Sequence, residues 1–259
     1  MDSFGVILPA AGRSVRFGGG RGKLLELLAG EPVVRHSVRA FLVRQDVAAV
    51  VLATSNDDVS ILTEALGAQA RDPRLSFCRG GESRAHSVRK ALACIRPEVE
   101  WVAVHDAARP LVSQEVIHRA FSIAREKGAA VPALPVALTI KQAAGPLPAR
   151  VQQTVPRHSL WAMQTPQVMR RADLIAAYES CRLPLDQVTD DAQLLELNGR
   201  DVWLVDGDEH NLKITTRTDL KIAEMILAEL AAQSHQKGKT RSLFLPLPLG
   251  EGRGEGKPE

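Results

Sequence analysis

The sequence predicts an α/β fold, a mostly parallel sheet covered by helices on both faces, with a β-arm projecting from it. Three observations carry this. The apolar runs Phe4–Leu8, Val47–Ala53 and Trp101–Val104 lack polar alternation, as strands buried on both faces do. Helical stripes stand between them, and units of this length connect parallel strands. Pro135, Pro146, Pro148 and Pro156 then break the alternation over residues 135–158, where no long helix can form.

Taken in order, the first strand stops at Pro9. Val34, Val38, Phe41 and Leu42 share one helical face of Val33–Val43, and Pro32 suits its first turn. Val47–Ala53 is the next strand, and Asp57–Leu66 is a helix ended near Gly67. Leu75–Cys78 is a strand, after which Gly80-Gly81 turns into a helix reaching about Ile95. Trp101–Val104 runs into His105-Asp106. Val116, Ile117, Ala120, Phe121 and Ala124 form a helical stripe, and Ala129–Leu134 a strand. Within the arm, Leu138–Lys141 and Arg150–Val155 can pair as a hairpin with Gly145-Pro146 near its tip. An arm that cannot bury itself packs on a partner, which points to a homodimer. Helices are expected at about 170–180 and 189–198, a strand at 202–206, and a last helix from Thr218 to about Ala232. One domain thus spans residues 1–233. Residues 234–259, poor in any sustained period and rich in Gly and Pro, read as a disordered tail.

Composition narrows the function classes. Hydrophobic residues are 45% and charged residues 24%, ordinary for a soluble globular chain. No apolar run approaches the roughly 20 residues that cross a bilayer. No basic segment leads into an apolar stretch at the N-terminus, so the chain reads as cytoplasmic, without a membrane partner. The net charge of +3 resides partly in the tail; from His235 onward five basic and three acidic residues stand, leaving 28 basic against 27 acidic. No nucleic-acid partner follows from that balance. Cys78, Cys94 and Cys181 are odd in number and far apart in the chain; they suit a reducing compartment and read as buried, packing thiols.

In parallel sheets ligands sit beyond the carboxyl ends of the strands. Residues 10–23, 80–87 and 105–110 fall there, all rich in Gly, Ala, Arg, Ser or Asp. Residues 9–23 hold Gly12, Gly18, Gly19, Gly20 and Gly22 with Arg13, Arg16, Arg21 and Lys23, a turn whose backbone can approach phosphate closely. A Walker loop ending at Lys23 would need Gly at 17 and Ser or Thr at 24, where Phe17 and Leu24 stand. A dinucleotide fingerprint beginning at Gly18 and Gly20 meets Lys23 at its third glycine. Both motifs fail, so the loop alone says only that phosphate is bound nearby or that the turn is flexible. Asp106 at a strand end can serve Mg²⁺, which takes one or two carboxylates plus substrate phosphates, or can cap the following turn. Gly80 to Ser87 combines a tight turn with a helix N-terminus. His36 and His118 fall on helices and read as surface or packing residues.

Several segments together resemble one family. They are Pro9-Ala10-Ala11-Gly12 with Arg16 and Lys23, Gly80-Gly81 with Arg84 and Ser87, and His105–Pro110. Thr154-Val155 with Arg157, Leu160-Trp161, Gln164–Gln167, Thr189–Ala192 and Asn211–Thr215 complete the set. In this order, over about residues 4–230, they resemble the 2-C-methyl-D-erythritol 4-phosphate cytidylyltransferases of the non-mevalonate isoprenoid pathway. The resemblance implies a Rossmann-like nucleotidyltransferase fold and the reaction of CTP with methylerythritol phosphate, with Mg²⁺ as cofactor and Asp106 as its ligand. It implies that Arg16, Lys23, Asp106 and Lys213 are catalytic. Pro9, Ala10, Ala11, Gly12, Gly81, Glu82, Arg84, Ser87, Asp106 and Ala107 would hold CTP. Arg109, Thr139, Arg157, Thr165 and Thr189 would hold the acceptor, the arm lending Thr139 and Arg157 to a neighbouring subunit. Three positions depart from the family pattern: Gly22 for a common Pro, Leu138 for an acidic residue, and His210 for an Asp. A cytidylyltransferase for another polyol phosphate, such as ribitol 5-phosphate, and a non-catalytic nucleotide-binding protein are the alternative readings.

Overall fold

The computed structural model describes residues 3–12, 17 and 22–242. Strand β1 (Phe4–Pro9) is followed by a small hairpin of β2 (Leu27–Leu28) and β3 (Glu31–Pro32), then helix α1 (Val33–Leu42). β4 (Val47–Thr54), α2 (Val59–Leu66), β5 (Leu75–Arg79), α3 (Arg84–Leu92), β6 (Trp101–Val104), α4 (Gln114–Lys127) and β7 (Ala129–Pro135) continue the alternation. The arm is β8 (Ile140–Ala143) paired with β9 (Val151–Val155). β10 (Trp161–Met163), β11 (Gln167–Arg170), α5 (Arg171–Ser180), α6 (Asp191–Leu197), β12 (Trp203–Asp206) and α7 (Arg217–Ser242) complete the chain.

β5, β4, β1 and β6 lie side by side and parallel, as their apolar runs require. β11 then runs antiparallel between β6 and β7, while β12 is parallel to β7 and β10 antiparallel to it. The sheet is therefore mixed at one side. This reversal positions the site: Gln167, the first residue of β11, pairs with Val104, the last of β6, so the segment preceding β11 is delivered to the carboxyl edge. β12 likewise ends opposite Ala133 near the end of β7 and delivers residues 207–214 to the same edge.

Successive β1 side chains point to opposite faces. Phe4, Val6 and Leu8 pack on one side with Val34 and Phe41 of α1 and Ile117 and Phe121 of α4. Ile7 packs on the other with Val88 and Ala91 of α3 and Leu174 of α5. A third cluster joins Phe17, Leu28, Val33, Leu111, Ile214 and Ala223, fastening α7 over the β2–β3 hairpin. Three helices start at side-chain caps, Ser83 for α3, Ser113 for α4 and Asp190 for α6.

Some boundaries move. α3 stops at Leu92 rather than near Ile95, and α7 continues to Ser242, into the segment expected to be disordered from residue 234. Residues 243–259 lie outside the described residues. Cys94 is exposed rather than packed, because it follows the last turn of α3. No helix among the described residues is long and apolar enough to cross a membrane.

Candidate active site

The ends of β1, β5 and β6 and the segment after β12 surround a cavity of about 700 Å³. Pro9, Ala10, Ala11 and Gly12 reach it from β1, and Lys23 from the following loop. Gly81, Glu82, Ser83, Arg84 and Ser87 come from the turn into α3, Asp106 and Ala107 from the end of β6, and Lys213 from the C-terminal side. The turn is compact because it has no side chains to spare. A Cβ on Gly80 would stand 2.5 Å from that of Ala11, and one on Gly81 would come closer still to that of His86. Ser87 closes it: its Oγ accepts from Gly81 N at 3.0 Å and donates to Ser83 O at 3.0 Å. An α3 N-terminus at the cavity wall suits an anion.

Asp106 is the electrostatic centre. Its Oδ1 lies 3.3 Å from Arg84 Nε, and its Oδ2 lies 2.9 Å from Lys213 Nζ and 3.4 Å from Arg109 Nε. Burial alone would raise the carboxyl pKa; Arg84, Lys213 and Arg109 outweigh it and hold the group well below the usual range. Asp106 is therefore committed as an anion, and its side chain serves cations rather than a turn cap. With Lys23 also on the wall, the cavity carries an excess of positive charge that a polyanion would neutralise.

The backbone beneath is equally fixed. Asp106 N donates to Thr165 Oγ1 at 3.1 Å, and that hydroxyl meets His105 Nδ1 at 3.0 Å. His105 Nε2 faces Arg109 O at 3.1 Å. A carbonyl only accepts, so Nε2 carries the proton and Nδ1 accepts from the Thr165 hydroxyl. The ring is thus neutral in the fold, and burial pushes its pKa down to about 4. A folded pKa below the unfolded one means that stability is complete above about pH 6.5 and falls as pH drops toward 4. Unfolding free energies from urea titrations should decline across that window, at up to about 1.4 kcal/mol per pH unit. His105→Gln should flatten the decline, and an unaltered slope would refute this account.

Lys213 is held by its neighbours' contacts. Arg109 Nη1 donates to Asn211 O at 2.7 Å, Asn211 Nδ2 to Thr165 O at 2.9 Å, and Ile214 N to Ala108 O at 2.8 Å. On the opposite side, Arg84 Nη1 meets Oδ2 of the fully buried Asp191 at 2.7 Å.

Three kinds of comparison point to one family. The profile of the 2-C-methyl-D-erythritol 4-phosphate cytidylyltransferase family matches residues 4–229. The chain belongs to this family. Curated relatives with that name include one from Solibacter usitatus, 37% identical over 237 residues, covering 88% of this chain and 97% of the relative. One from Streptomyces coelicolor is 42% identical over 229 residues, covering 86% of this chain and 84% of the relative. Among solved structures, the Anaerococcus prevotii 4-diphosphocytidyl-2C-methyl-D-erythritol synthase aligns with a TM-score of 0.74 at 27% identity, covering 88% and 99% of the two chains. The Thermus thermophilus 2-C-methyl-D-erythritol 4-phosphate cytidylyltransferase aligns at 0.69 with 31% identity, covering 86% and 98%. The chain is accordingly a nucleotidyltransferase with the Rossmann-like fold of these cytidylyltransferases.

Against this family's pattern, the residues expected to hold CTP all line the cavity, together with Lys23 and Lys213. Arg16 lies outside the described residues. None of the residues expected to hold the acceptor lines the cavity. Arg109 and Thr165 stand directly behind Asp106, with the Thr165 hydroxyl already engaged by Asp106 N and His105. Thr139 and Arg157 are exposed on the arm, where Arg157 Nη1 donates to Ala137 O. Thr189 is exposed and donates through Oγ1 to Gln193 Oε1 at 3.2 Å. Gly22 adopts φ of 81°, a left-handed conformation closed to the proline that the resemblance leads one to expect there. Leu138 is 77% exposed on the arm. His210 is exposed and turned to Asp208, with Nδ1 3.3 Å from Oδ1.

Sequence reasoning gives no role to the buried polar residues that hold these groups. Gln164 Nε2 donates to Asp208 O at 2.8 Å, and Gln167 Oε1 accepts from Asp191 N at 2.9 Å. Gln, Asn and Asp flanking an apolar strand are the one signal that could have pointed to them, since such groups are buried only when partnered.

Proposed function

We propose that this chain joins CTP and 2-C-methyl-D-erythritol 4-phosphate in the cavity around Asp106, giving 4-diphosphocytidyl-2-C-methyl-D-erythritol and pyrophosphate. The observation that carries the residue roles is one cavity bringing together the whole expected nucleotide set, Lys23 and Lys213 about a single carboxylate held by cations. A phosphate monoester with a second pKa of about 6 is mostly dianionic at neutral pH, so the nucleophile needs no base. An oxygen of the acceptor phosphate forms a bond to the α-phosphorus of CTP. The bond from that phosphorus to the β-phosphate's bridging oxygen breaks, and pyrophosphate leaves with the electron pair. No proton moves to or from the protein. The task left to the side chains is to bring two anions together and offset charge at the α-phosphoryl group. Lys23 and Arg16 carry that role, Lys213 faces the reacting phosphates, and Asp106 orients the cations. The turn at Gly81 to Arg84 and Ser87, with residues 9–12, holds cytidine and triphosphate. Thr165 sets Asp106 from behind, and Arg109, paired with Asp106, serves the acceptor.

The donor set suits magnesium only as a companion of the triphosphate. Among the described residues no group of three or more His, Cys, Asp or Glu could hold a metal ion, whereas Asp106 offers one hard oxygen ligand at the cavity wall. When bound there, the ion would offset charge on the phosphate oxygens. The exposed arm with Thr139 and Arg157 reads as reaching a second copy's site, in a homodimer. Sedimentation should give twice the chain mass; a stable monomer would count against it. A cytoplasmic location accords with these substrates and is checked by cell fractionation.

The direct test is pyrophosphate release from CTP with methylerythritol phosphate or ribitol 5-phosphate, with and without EDTA. Release with the first acceptor, stopped by EDTA, is expected. Release with ribitol phosphate alone would overturn the acceptor, and indifference to EDTA would overturn the metal.

A further inference from the structure

Asp191 is a carboxylate that no ligand can touch. It is fully buried at the start of α6, yet it makes the shorter of the two ion pairs of Arg84. Its surroundings fix it from three directions. Tyr178 of α5 donates its hydroxyl to Oδ1 at 3.0 Å, Arg84 Nη1 meets Oδ2 at 2.7 Å, and the Gln167 side chain accepts from its backbone N at 2.9 Å. Gln167 also donates from Nε2 to Asp190 Oδ2 at 2.8 Å, tying the α6 N-terminus to β11.

The consequence for Arg84 is geometric. A guanidinium is a planar fork that pairs with a carboxylate through two parallel contacts where it can. Left to Asp106 alone, Arg84 would turn to grip both oxygens of that group, one of which is the partner of Lys213 and Arg109. In the fold it offers Asp106 only Nε, at the longer distance of 3.3 Å, because Nη1 is drawn to Asp191. The remaining nitrogen, Nη2, has no hydrogen bond among the described residues, and Arg84 lines the cavity.

We propose that Asp191, oriented by Tyr178, is a positioning residue that divides Arg84 between Asp106 and bound nucleotide. Asp191 holds Nη1, keeps the guanidinium plane from closing on Asp106, and leaves Nη2 for an anionic oxygen of CTP. This rests on the reading of Arg84 as a CTP ligand and adds to it the device that sets its orientation.

The experiment is a double-mutant cycle read by calorimetric CTP binding to the full chain, with KM for each substrate alongside. Tyr178→Phe keeps the ring and removes only the hydroxyl; Asp191→Asn keeps the shape and removes the charge. Each should weaken CTP binding, Asp191→Asn by on the order of tenfold, and by more than it raises KM for the acceptor. In an Arg84→Ala background neither change should weaken CTP binding further. A merely structural role would lower the melting temperature without this dependence on Arg84. Parent-like CTP binding in both single variants overturns the proposal, as do effects that add fully to that of Arg84→Ala. If Asp191→Asn does not fold, Tyr178→Phe completes the cycle alone. Should Arg84→Ala itself bind CTP normally, the reading of Arg84 fails and takes the proposal with it. A strong Arg84 effect with silent partners refutes the positioning role only.

Discussion

Asp106→Asn should lose about a thousandfold in turnover, the upper scale for removing one preorganised electrostatic element. The reason is the crowd it serves. Arg84, Arg109 and Lys213 all lie within 3.4 Å of its oxygens, and an amide can neither neutralise nor align three cations. The same substitution should cost about 3–5 kcal/mol of stability at neutral pH, since it leaves buried cations without their partner. The pH dependence separates this from a packing defect. The carboxyl pKa is depressed in the fold, so its stabilisation is present above about pH 4 and is lost as pH falls below that. The parent and Asp106→Asn should therefore converge in stability in acid. A gap of equal size at pH 7 and in strong acid would show that charge is not the cause.

Lys23→Ala is the second large effect expected. Lys23 lines the nucleotide cavity just after Gly22, whose 81° φ turns the chain there. A cation aimed at a phosphoryl group in transfer contributes about 10³–10⁵ in rate where its removal has been weighed. Turnover should fall by orders of magnitude, while CTP binding stays measurable, because residues 9–12 and the turn at Gly81, the proposed nucleotide contacts, line the cavity apart from Lys23. Single-turnover measurements at saturating CTP separate the two quantities. Near-parental turnover would remove Lys23 from the mechanism.

The legible parts of this chain are those whose information is local. β1, β4 and β6 announce themselves as unbroken apolar runs, and the loops after β1, β5 and β6 follow at the edge where ligands bind. That is why the residues expected to hold CTP gather around one cavity. β11 escapes a sequence reading because only Val168 and Met169 are apolar between Gln167 and Arg170, too few to show a period. β10 is three residues long, and β2 and β3 two each. The acceptor set behaves differently since two of its members sit on the arm, away from this chain's own cavity. Lys213 can be placed only by resemblance: nothing in residues 211–214 signals that Arg109 and Asn211 draw them to β6. Asp191 is opaque for the same reason, its partner Arg84 lying 107 residues earlier in the chain.

The reversed strand β11 and the late segment after β12 also bear on how the enzyme comes into being. Contacts that complete the site span 59 residues from Asp106 to Thr165 and 102 from Arg109 to Asn211. Closing such long stretches is entropically costly and comes slowly in topologies dominated by distant pairings. A chain still growing on the ribosome, with Thr165 and the residues after it not yet emerged, lacks the contacts that seat Asp106 and present Lys213. Competence to take up nucleotide therefore arrives with the end of the domain, and CTP stabilises only the finished chain.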